Sequence, residues 1–275
     1  MLAESTPFEL TPEQFEMVRS LIYRLCGITL RRGKRELVRT RLVRRIRELG
    51  LPSFDAYFGL LRDDPTGREL AELIDAMTTN KTGFFREPQH FRYLREVILP
   101  ELVRARRRIR IWSAGCSSGE EPYSIAITLR EAIPECDVLD VRVLGTDIST
   151  RVLAVARAGV YDETALADVP RDLLVRHFTC VQPRSPRRYR VSSGVARLVR
   201  LARLNLFDPW PMRGPFDVIF CRNVMIYFDR TMQQRLIEAF RSVLAPGGYL
   251  LVGHSESLAA LSHDYRYVQP AVYRR

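Results

Sequence analysis

The chain has 275 residues, 46% of them hydrophobic, enough for an α/β domain plus a smaller partner and too apolar for a disordered chain. Lys and Arg total 43 against 32 Asp and Glu, a formal charge of +11, which directs attention to an anionic partner: nucleic acid, anionic lipid or an acidic protein surface. No run approaches the ~20 continuous apolar residues of a membrane span, and the start, with Glu4, Glu9 and Glu13, lacks the basic-then-apolar order of a secretory signal.

The first part of the chain reads as helices only. Thr11-Pro12-Glu13-Gln14 places an N-cap, a proline at the first helical position and acidic or amide residues in the first turn. Phe15, Val18, Leu21, Ile22 and Leu25 follow at helical spacing. A second helix is predicted from Lys34 to Leu49, with Val38, Leu42, Ile46 and Leu49 as its apolar stripe and Gly50 and Pro52 as its stop. Two shorter helices, Ser53 to Leu61 and Arg68 to Met77, complete a small bundle over residues 1–77. Thr78 to Glu87 breaks the periodicity and reads as a loop. Pro88 to Arg107 returns to helix, interrupted near Pro100.

The pattern then changes class. Strands are predicted at Ile109 to Trp112, Val138 to Gly145, Leu198 to Asn205, Phe216 to Cys221 and Tyr249 to Gly253. Helices are predicted between them at Glu121 to Ile133, Arg151 to Arg157 and Thr231 to Leu244. Such alternation implies a parallel, doubly wound α/β sheet. Tyr265 to Val268 and Val272 to Arg274 suit a terminal antiparallel hairpin. Residues 177–197 alternate polar and apolar around Pro183 and Pro186 and read as a small inserted β-subdomain. The five cysteines, Cys26, Cys116, Cys136, Cys180 and Cys221, are odd in number and scattered. They predict small buried hydrophobes in a reducing, cytoplasmic setting, with no disulfide framework and no metal site.

The strand at Ile109 to Trp112 runs into Ser113-Ala114-Gly115-Cys116-Ser117-Ser118-Gly119, and Glu120-Glu121-Pro122 opens a helix. Glycines there let the backbone approach a ligand at the carboxyl edge of the first strand. The run is not G-x-G-x-x-G, and no P-loop lysine follows Gly119. Two glutamates would repel a pyrophosphate but accommodate a cationic ligand, and S-adenosylmethionine carries a sulfonium and an ammonium. The second strand ends in Leu144-Gly145-Thr146-Asp147. An acid at that tip accepts hydrogen bonds from ribose hydroxyls, or else Asp147 or Ser149 caps the next helix.

Five blocks together resemble the chemotaxis receptor methyltransferases (CheR). They are Thr78 to Glu87 (TTNKTGFFRE), Gly119 to Ser124 (GEEPYS), Gly145 to Ile148 (GTDI), Phe220 to Phe228 (FCRNVMIYF) and Gly247 to Glu256 (GGYLLVGHSE). The resemblance implies a class I, Rossmann-like S-adenosylmethionine methyltransferase sheet with an N-terminal helical domain over 1–77, a linker over 78–95 that contributes cofactor contacts, and a methyltransferase domain over 96–275 carrying the β insertion. It implies cofactor contacts from Asn80, Thr82, Arg86, Gly115, Glu121, Asp147, Asn205, Leu206, Arg222 and Asn223. Arg86 suits the cofactor carboxylate, Glu121 its ammonium, Asp147 its ribose and Leu206 its adenine.

The implied activity is transfer of a methyl group to receptor glutamates, as protein-glutamate O-methyltransferase, leaving S-adenosylhomocysteine. A glutamate side chain, with a reference pKa of ~4.3, arrives ionised, so no general base and no metal are required. Tyr227, with Arg222 beside the cofactor, is the expected catalytic residue, its hydroxyl orienting the incoming carboxylate. His254 reads as structural. Arg31, Arg32, Lys34, Arg35, Arg39, Arg41, Arg44, Arg45 and Arg47 crowd the second helix against only Glu36 and Glu48. By resemblance they face the acidic cytoplasmic helical region of a chemoreceptor, with Arg35, Arg39, Arg44 and Arg45 as substrate contacts. The loop Pro183 to Arg188 lacks glycine, so no requirement for a receptor C-terminal peptide tether is expected. The chain is expected to act as a monomer without nucleic acid. Its rivals are an RNA methyltransferase and a non-catalytic cofactor-binding adaptor. Arg222-Asn223-Val224-Met225 stands where adenine-methylating enzymes carry an Asn/Asp-Pro-Pro-aromatic turn.

Overall fold

The first helix starts where its capping residues place it. Thr11 Oγ1 accepts from the Gln14 amide and Gln14 Oε1 accepts from the Thr11 amide, a complete capping box worth about 1 kcal/mol. This box opens α1 (Pro12–Cys26), and Gly27 closes it at φ 70°, a left-handed conformation that costs glycine little. Three further helices follow: α2 (Arg35–Glu48), α3 (Phe54–Arg62) and α4 (Arg68–Met77). Val38, Leu42 and Ile46 of α2 are buried as predicted, with Val43 in place of Leu49. The computed structural model describes residues 8–105, 108–134, 136 and 138–275. Glu4 and the predicted end of the helix at Arg107 lie outside the described residues.

The chain divides into two compact units, Met1–Thr79 with Tyr227–Asp229, and Asn80–Ile226 with Arg230–Arg275. The three residues Tyr227–Asp229 join the helical unit through specific bonds. The Tyr23 hydroxyl donates to Asp229 Oδ2 at 2.8 Å, and the Thr29 amide donates to the Tyr227 carbonyl at 2.8 Å.

The second unit begins with loop 80–87 and α5 (Pro88–Tyr93). A π-helical turn, Leu94–Ile98, then leads into α6 (Leu99–Ala105). A break near Pro100 is therefore replaced by a change of register. Proline has no N–H for the carbonyl four residues back, and the wider turn, with the Leu99 amide donating to the Leu94 carbonyl, carries the helix past it.

Strands and helices then alternate: β1 (Arg108–Ala114), α7 (Glu120–Ala132), β2 (Asp140–Asp147), α8 (Thr150–Ala158), β3 (Val160–Asp162), α9 (Arg171–His177), β4 (Phe178–Gln182), β5 (Arg188–Val191), α10 (Ser193–Ala196), β6 (Val199–Arg203), β7 (Phe216–Cys221), α11 (Arg230–Val243), β8 (Leu244–Val252), β9 (Arg266–Gln269) and β10 (Val272–Arg274). The main sheet has the order β6-β2-β1-β7-β8-β10-β9. Its first five strands pair in parallel, and β10 and β9 reverse as the predicted hairpin. All six residues of β7 are buried, as in a strand covered on both faces; its one charged member, Asp217, accepts from the Arg110 amide at 2.7 Å. Trp112 packs among Trp210, Phe216 and Phe240 and donates its indole N–H to Thr146 Oγ1 at 2.9 Å.

The inserted sheet starts earlier than 177. It has three antiparallel strands in the order β3-β5-β4, so it begins at Val160. β3 is only three residues long, too short for alternation to show in sequence. His177 ends helix α9 instead of opening a strand. Four cysteines are buried as expected, while Cys180 on β4 is exposed.

Candidate active site

Strand order reverses between β1 and β7: from β1 the chain winds out to β2 and β6, from β7 to β8. Ligands of open α/β sheets bind at the carboxyl ends of the strands flanking such a switch point. The segments that follow β1, β2, β6, β7 and β8 there are the ones singled out in the sequence.

After β1 the chain turns through Gly115 at φ 83°, Ser117 at φ 49° and Gly119 at φ 97°. The amides of Gly115 and Cys116 both donate to the Thr146 carbonyl at 2.8 Å. Asp147 braces the same turn, its Oδ2 accepting from the Ser117 amide at 2.8 Å and its Oδ1 from the Ser149 amide at 2.9 Å. The cap of α8 is Ser149, whose hydroxyl accepts from the Val152 amide. Loop 80–87 closes over the turn: the Asn80 carbonyl accepts from Ser117 Oγ at 3.0 Å, and the Phe85 amide donates to Ser124 Oγ at 2.9 Å. Thr82 is half-buried in that loop. Arg86 is exposed and donates to the Lys81 carbonyl at 2.9 Å.

The two glutamates at the start of α7 diverge. Glu120 is buried and accepts from Ser118 Oγ, and burial raises its carboxyl above the usual range. Glu121 accepts from Ser113 Oγ at 2.7 Å and from Arg222 Nη1 at 2.9 Å.

Arg222 is the centre of the arrangement. Its side chain is 2% exposed and bridges Glu121 to Glu87, 3.1 Å away. It also donates to the Arg86 carbonyl and lies 5.5 Å over the Phe91 ring. Its Nε is buried without a hydrogen-bond partner. Burial alone would raise the Glu87 carboxyl, but Arg222, with Asn223 and His254, outweighs it and lowers the value.

Asn223 adopts φ 59°, a conformation few side chains tolerate. Glu256 holds it there, accepting from the Asn223 amide at 2.7 Å, the Gly253 amide at 2.6 Å and the Ile226 amide at 3.1 Å. After β6, Asn205 donates to Asp208 Oδ1 and accepts from the Phe207 amide, while the Leu206 carbonyl accepts from Trp210. Leu206 itself is half-buried.

Sequence reasoning missed Glu87, His90 and Glu256 as the surroundings of Arg222 and Asn223. Glu87 and Glu256 closed quoted blocks, but nothing local marked their partners. His90 is 1% exposed, and burial, reinforced by the Arg222 charge, pushes it down to about 3. In the helical unit, Arg45 is bound to buried Glu69 through two hydrogen bonds of 2.9 and 2.6 Å. Its guanidinium thus braces the helical unit from a side chain that stays 22% exposed. Arg35 and Arg44 are exposed, Arg39 is half-buried against Glu36, and Arg44 pairs with Glu48. Tyr227 belongs to the helical unit and donates to the Thr79 carbonyl at 3.4 Å.

The donor set fits S-adenosylmethionine. The orphan Arg222 N–H suits its carboxylate, Glu121 its ammonium, and Asp147 its ribose hydroxyls. A Cβ on Gly115 would overlap Val224 Cγ2 as well as forcing an L residue to φ 83°. Gly115→Ala is therefore expected to destabilise by about 1–3 kcal/mol and to weaken S-adenosylhomocysteine binding, as read by a thermal melt and calorimetric titration.

Residues 13–78 match the CheR methyltransferase all-alpha domain, and residues 80–273 match the CheR methyltransferase SAM binding domain. The chain is 44% identical to chemotaxis protein methyltransferase 2 of Pseudomonas aeruginosa, aligned over 97% of this chain and 94% of that one. Against the chemotaxis protein methyltransferase of Escherichia coli it is 40% identical, over 96% and 91%. Against that of Borreliella burgdorferi it is 38% identical, over 97% and 95%. With both domain models matched in order and nearly the whole length aligned, the chain belongs to the CheR family of S-adenosylmethionine-dependent methyltransferases.

Proposed function

We propose that this enzyme methylates glutamate side chains of chemoreceptors during sensory adaptation. The observation that carries it is the donor set Glu121, Asp147 and Arg222 at the carboxyl edge of the sheet, in a chain that matches chemotaxis methyltransferases nearly end to end. When bound, S-adenosylmethionine supplies an electrophilic methyl group on a sulfonium.

The protein's own work is positioning. Asn80, Thr82 and Arg86 in the loop, Gly115 and Glu121 after β1, Asp147 after β2, Asn205 and Leu206 after β6, and Arg222 and Asn223 after β7 form the cofactor's seat. The receptor glutamate enters already ionised, so alignment and exclusion of water suffice. Burial raises the Cys116 and Cys221 thiols well above their ordinary value, which removes them as nucleophiles. Tyr227 orients the substrate carboxylate. Tyr227→Phe is expected to lower turnover about tenfold or more with little change in cofactor affinity, and equal losses in both would reject that role.

Residues 1–77 serve receptor recognition, 78–95 the linker and cofactor contacts, and 96–275 the methyltransferase. Exposed Arg35 and Arg44, with Arg39, give α2 a basic face suited to the acidic cytoplasmic helices of a receptor. The double charge reversal Arg39→Glu/Arg44→Glu is expected to slow receptor methylation most at low salt, where steering is strongest. Unchanged low-salt rates would count against this face. The enzyme is a cytoplasmic monomer in this reading and uses neither nucleic acid nor a peptide tether. Micromolar binding of a receptor C-terminal peptide would overturn the last point.

The decisive experiment incubates the protein with receptor and labelled methyl donor. Label released from the receptor by mild base, as from an ester, is expected. Label on RNA, or none on protein, would overturn the assignment.

A further inference from the structure

Beside Arg222 lies a group of side chains that methyl transfer does not use. Glu87, His90 and His254 each offer one ligand atom, all within 4.8 Å of one another. His90 is almost fully buried, and neither of its ring nitrogens has a hydrogen-bond partner. Buried polar atoms in folded proteins are paired as a rule, and an orphan points to a missing partner such as an ion.

The spacing suits a small ion. His90 Nδ1 is 3.5 Å from Glu87 Oε2. Tetrahedral zinc with bonds of about 2.0–2.1 Å separates its ligand atoms by about 3.3–3.4 Å, so this pair already stands at ligand spacing. The His254 ring lies 5.0 Å from the His90 ring, edge to face. His254 is exposed, so rotation of its side chain can bring the third ligand in. Glu87 is the residue that precedes α5, at φ 56°, and His90 lies in the first turn of that helix. Two imidazoles and one carboxylate are a zinc donor set that leaves a fourth position open. Arg222 holds the same Glu87 oxygen, Oε2, at 3.1 Å, while Asn223 donates to the other, Oε1, at 3.3 Å.

We propose that Glu87, His90 and His254 bind one zinc ion, and that the ion competes with Arg222 for the Glu87 carboxylate. This departs from the sequence expectation of no metal, and it concerns a site outside the methyl-transfer chemistry. The competition half rests on Arg222 being part of the cofactor seat; the binding half does not.

The test uses the full chain, stripped with a chelator and titrated with zinc against a chromophoric competitor, with cobalt as a spectroscopic stand-in. One equivalent is expected, with the visible absorption of four- or five-coordinate cobalt. His254→Ala removes an exposed ligand without touching the core, and it is expected to weaken zinc binding about 100-fold. Cys180→Ser, at the exposed thiol, is expected to change nothing. Zinc binding that is absent, that His254→Ala leaves intact, or that Cys180→Ser abolishes overturns the site. Zinc that draws Glu87 away leaves Arg222 to the cofactor carboxylate, so linkage then requires S-adenosylhomocysteine and zinc to strengthen each other by the same factor. Equal zinc affinity with and without the nucleoside overturns the competition. S-adenosylhomocysteine binding to the metal-free chain, measured separately, reports whether the cofactor seat itself holds.

Discussion

Replacing Arg222 by methionine is expected to lower the melting temperature by roughly 10 °C at neutral pH and to abolish measurable S-adenosylhomocysteine binding. The guanidinium is 2% exposed and flanked by Glu87 and Glu121, themselves 15% and 12% exposed. Removing one partner of a buried ion pair costs about 3–5 kcal/mol, because the remaining charge stays out of water uncompensated. At about 2–4 °C per kcal/mol for a unit of this size, that gives the stated shift.

The pH dependence distinguishes this cause from lost packing. Arg222 lowers the Glu87 carboxyl in the folded chain, so that stabilisation is present above the unfolded value and lost as pH falls through the folded one. In Arg222→Met the guanidinium that chiefly holds the Glu87 carboxylate ionised is gone, and the carboxyl is more readily protonated. The deficit against the parent chain should therefore narrow as pH is lowered below about 5. A deficit independent of pH would mean that packing dominates. The triple variant Arg222→Met/Glu87→Gln/Glu121→Gln is expected to recover much of the stability and none of the nucleoside affinity, since a buried triad is replaceable by neutral groups while a cofactor carboxylate still needs its donor.

Glu256→Ala should be nearly as damaging, at about 3–5 kcal/mol. The carboxylate is 7% exposed and accepts three backbone amides, from Gly253, Asn223 and Ile226. Each donor left unsatisfied costs about 1–3 kcal/mol, less whatever water recovers. Local effects follow as well. Asn223 is held at φ 59° by one of those bonds, so its release should loosen the turn after β7 and weaken S-adenosylhomocysteine binding even where the chain remains folded. Glu256→Gln keeps one acceptor oxygen but turns an NH2 group toward a backbone N–H, so an intermediate loss is expected. Denaturant unfolding and calorimetric titration check both variants. A loss below about 1 kcal/mol for Glu256→Ala would show that the turn holds itself.

Much of this protein was legible because local physics is written locally. The period of Val38, Leu42 and Ile46 fixes the face that α2 buries. Thr11-Pro12 with Gln14 marks where α1 starts, and Gly115 and Gly119 mark a turn that needs left-handed backbone. Strand and helix alternation after residue 108 gives the doubly wound sheet, and five short blocks point to the family. Where the signal was short or shared, it failed. β3 has three residues and no readable alternation. Pro100 signals a break, yet a π-helical turn absorbs it because the rest of the helix is anchored by Leu94, Ile98 and Leu99 in the core.

Amino-acid order thus determined the elements, their inward faces and the strand tips where a ligand meets the sheet, since each depends on neighbours within a few residues. Only the tertiary structure decided which charges are spent inside. Arg45 looks like its exposed neighbours on α2 until Glu69 is brought against it. Glu87, His90 and Glu256 acquire meaning only once folding brings Arg222 and Asn223, over a hundred residues from the first two, into contact with them. The free energy of a buried charge is set by whatever partner surrounds it after water has left, and that partner is chosen by the fold rather than by proximity along the chain.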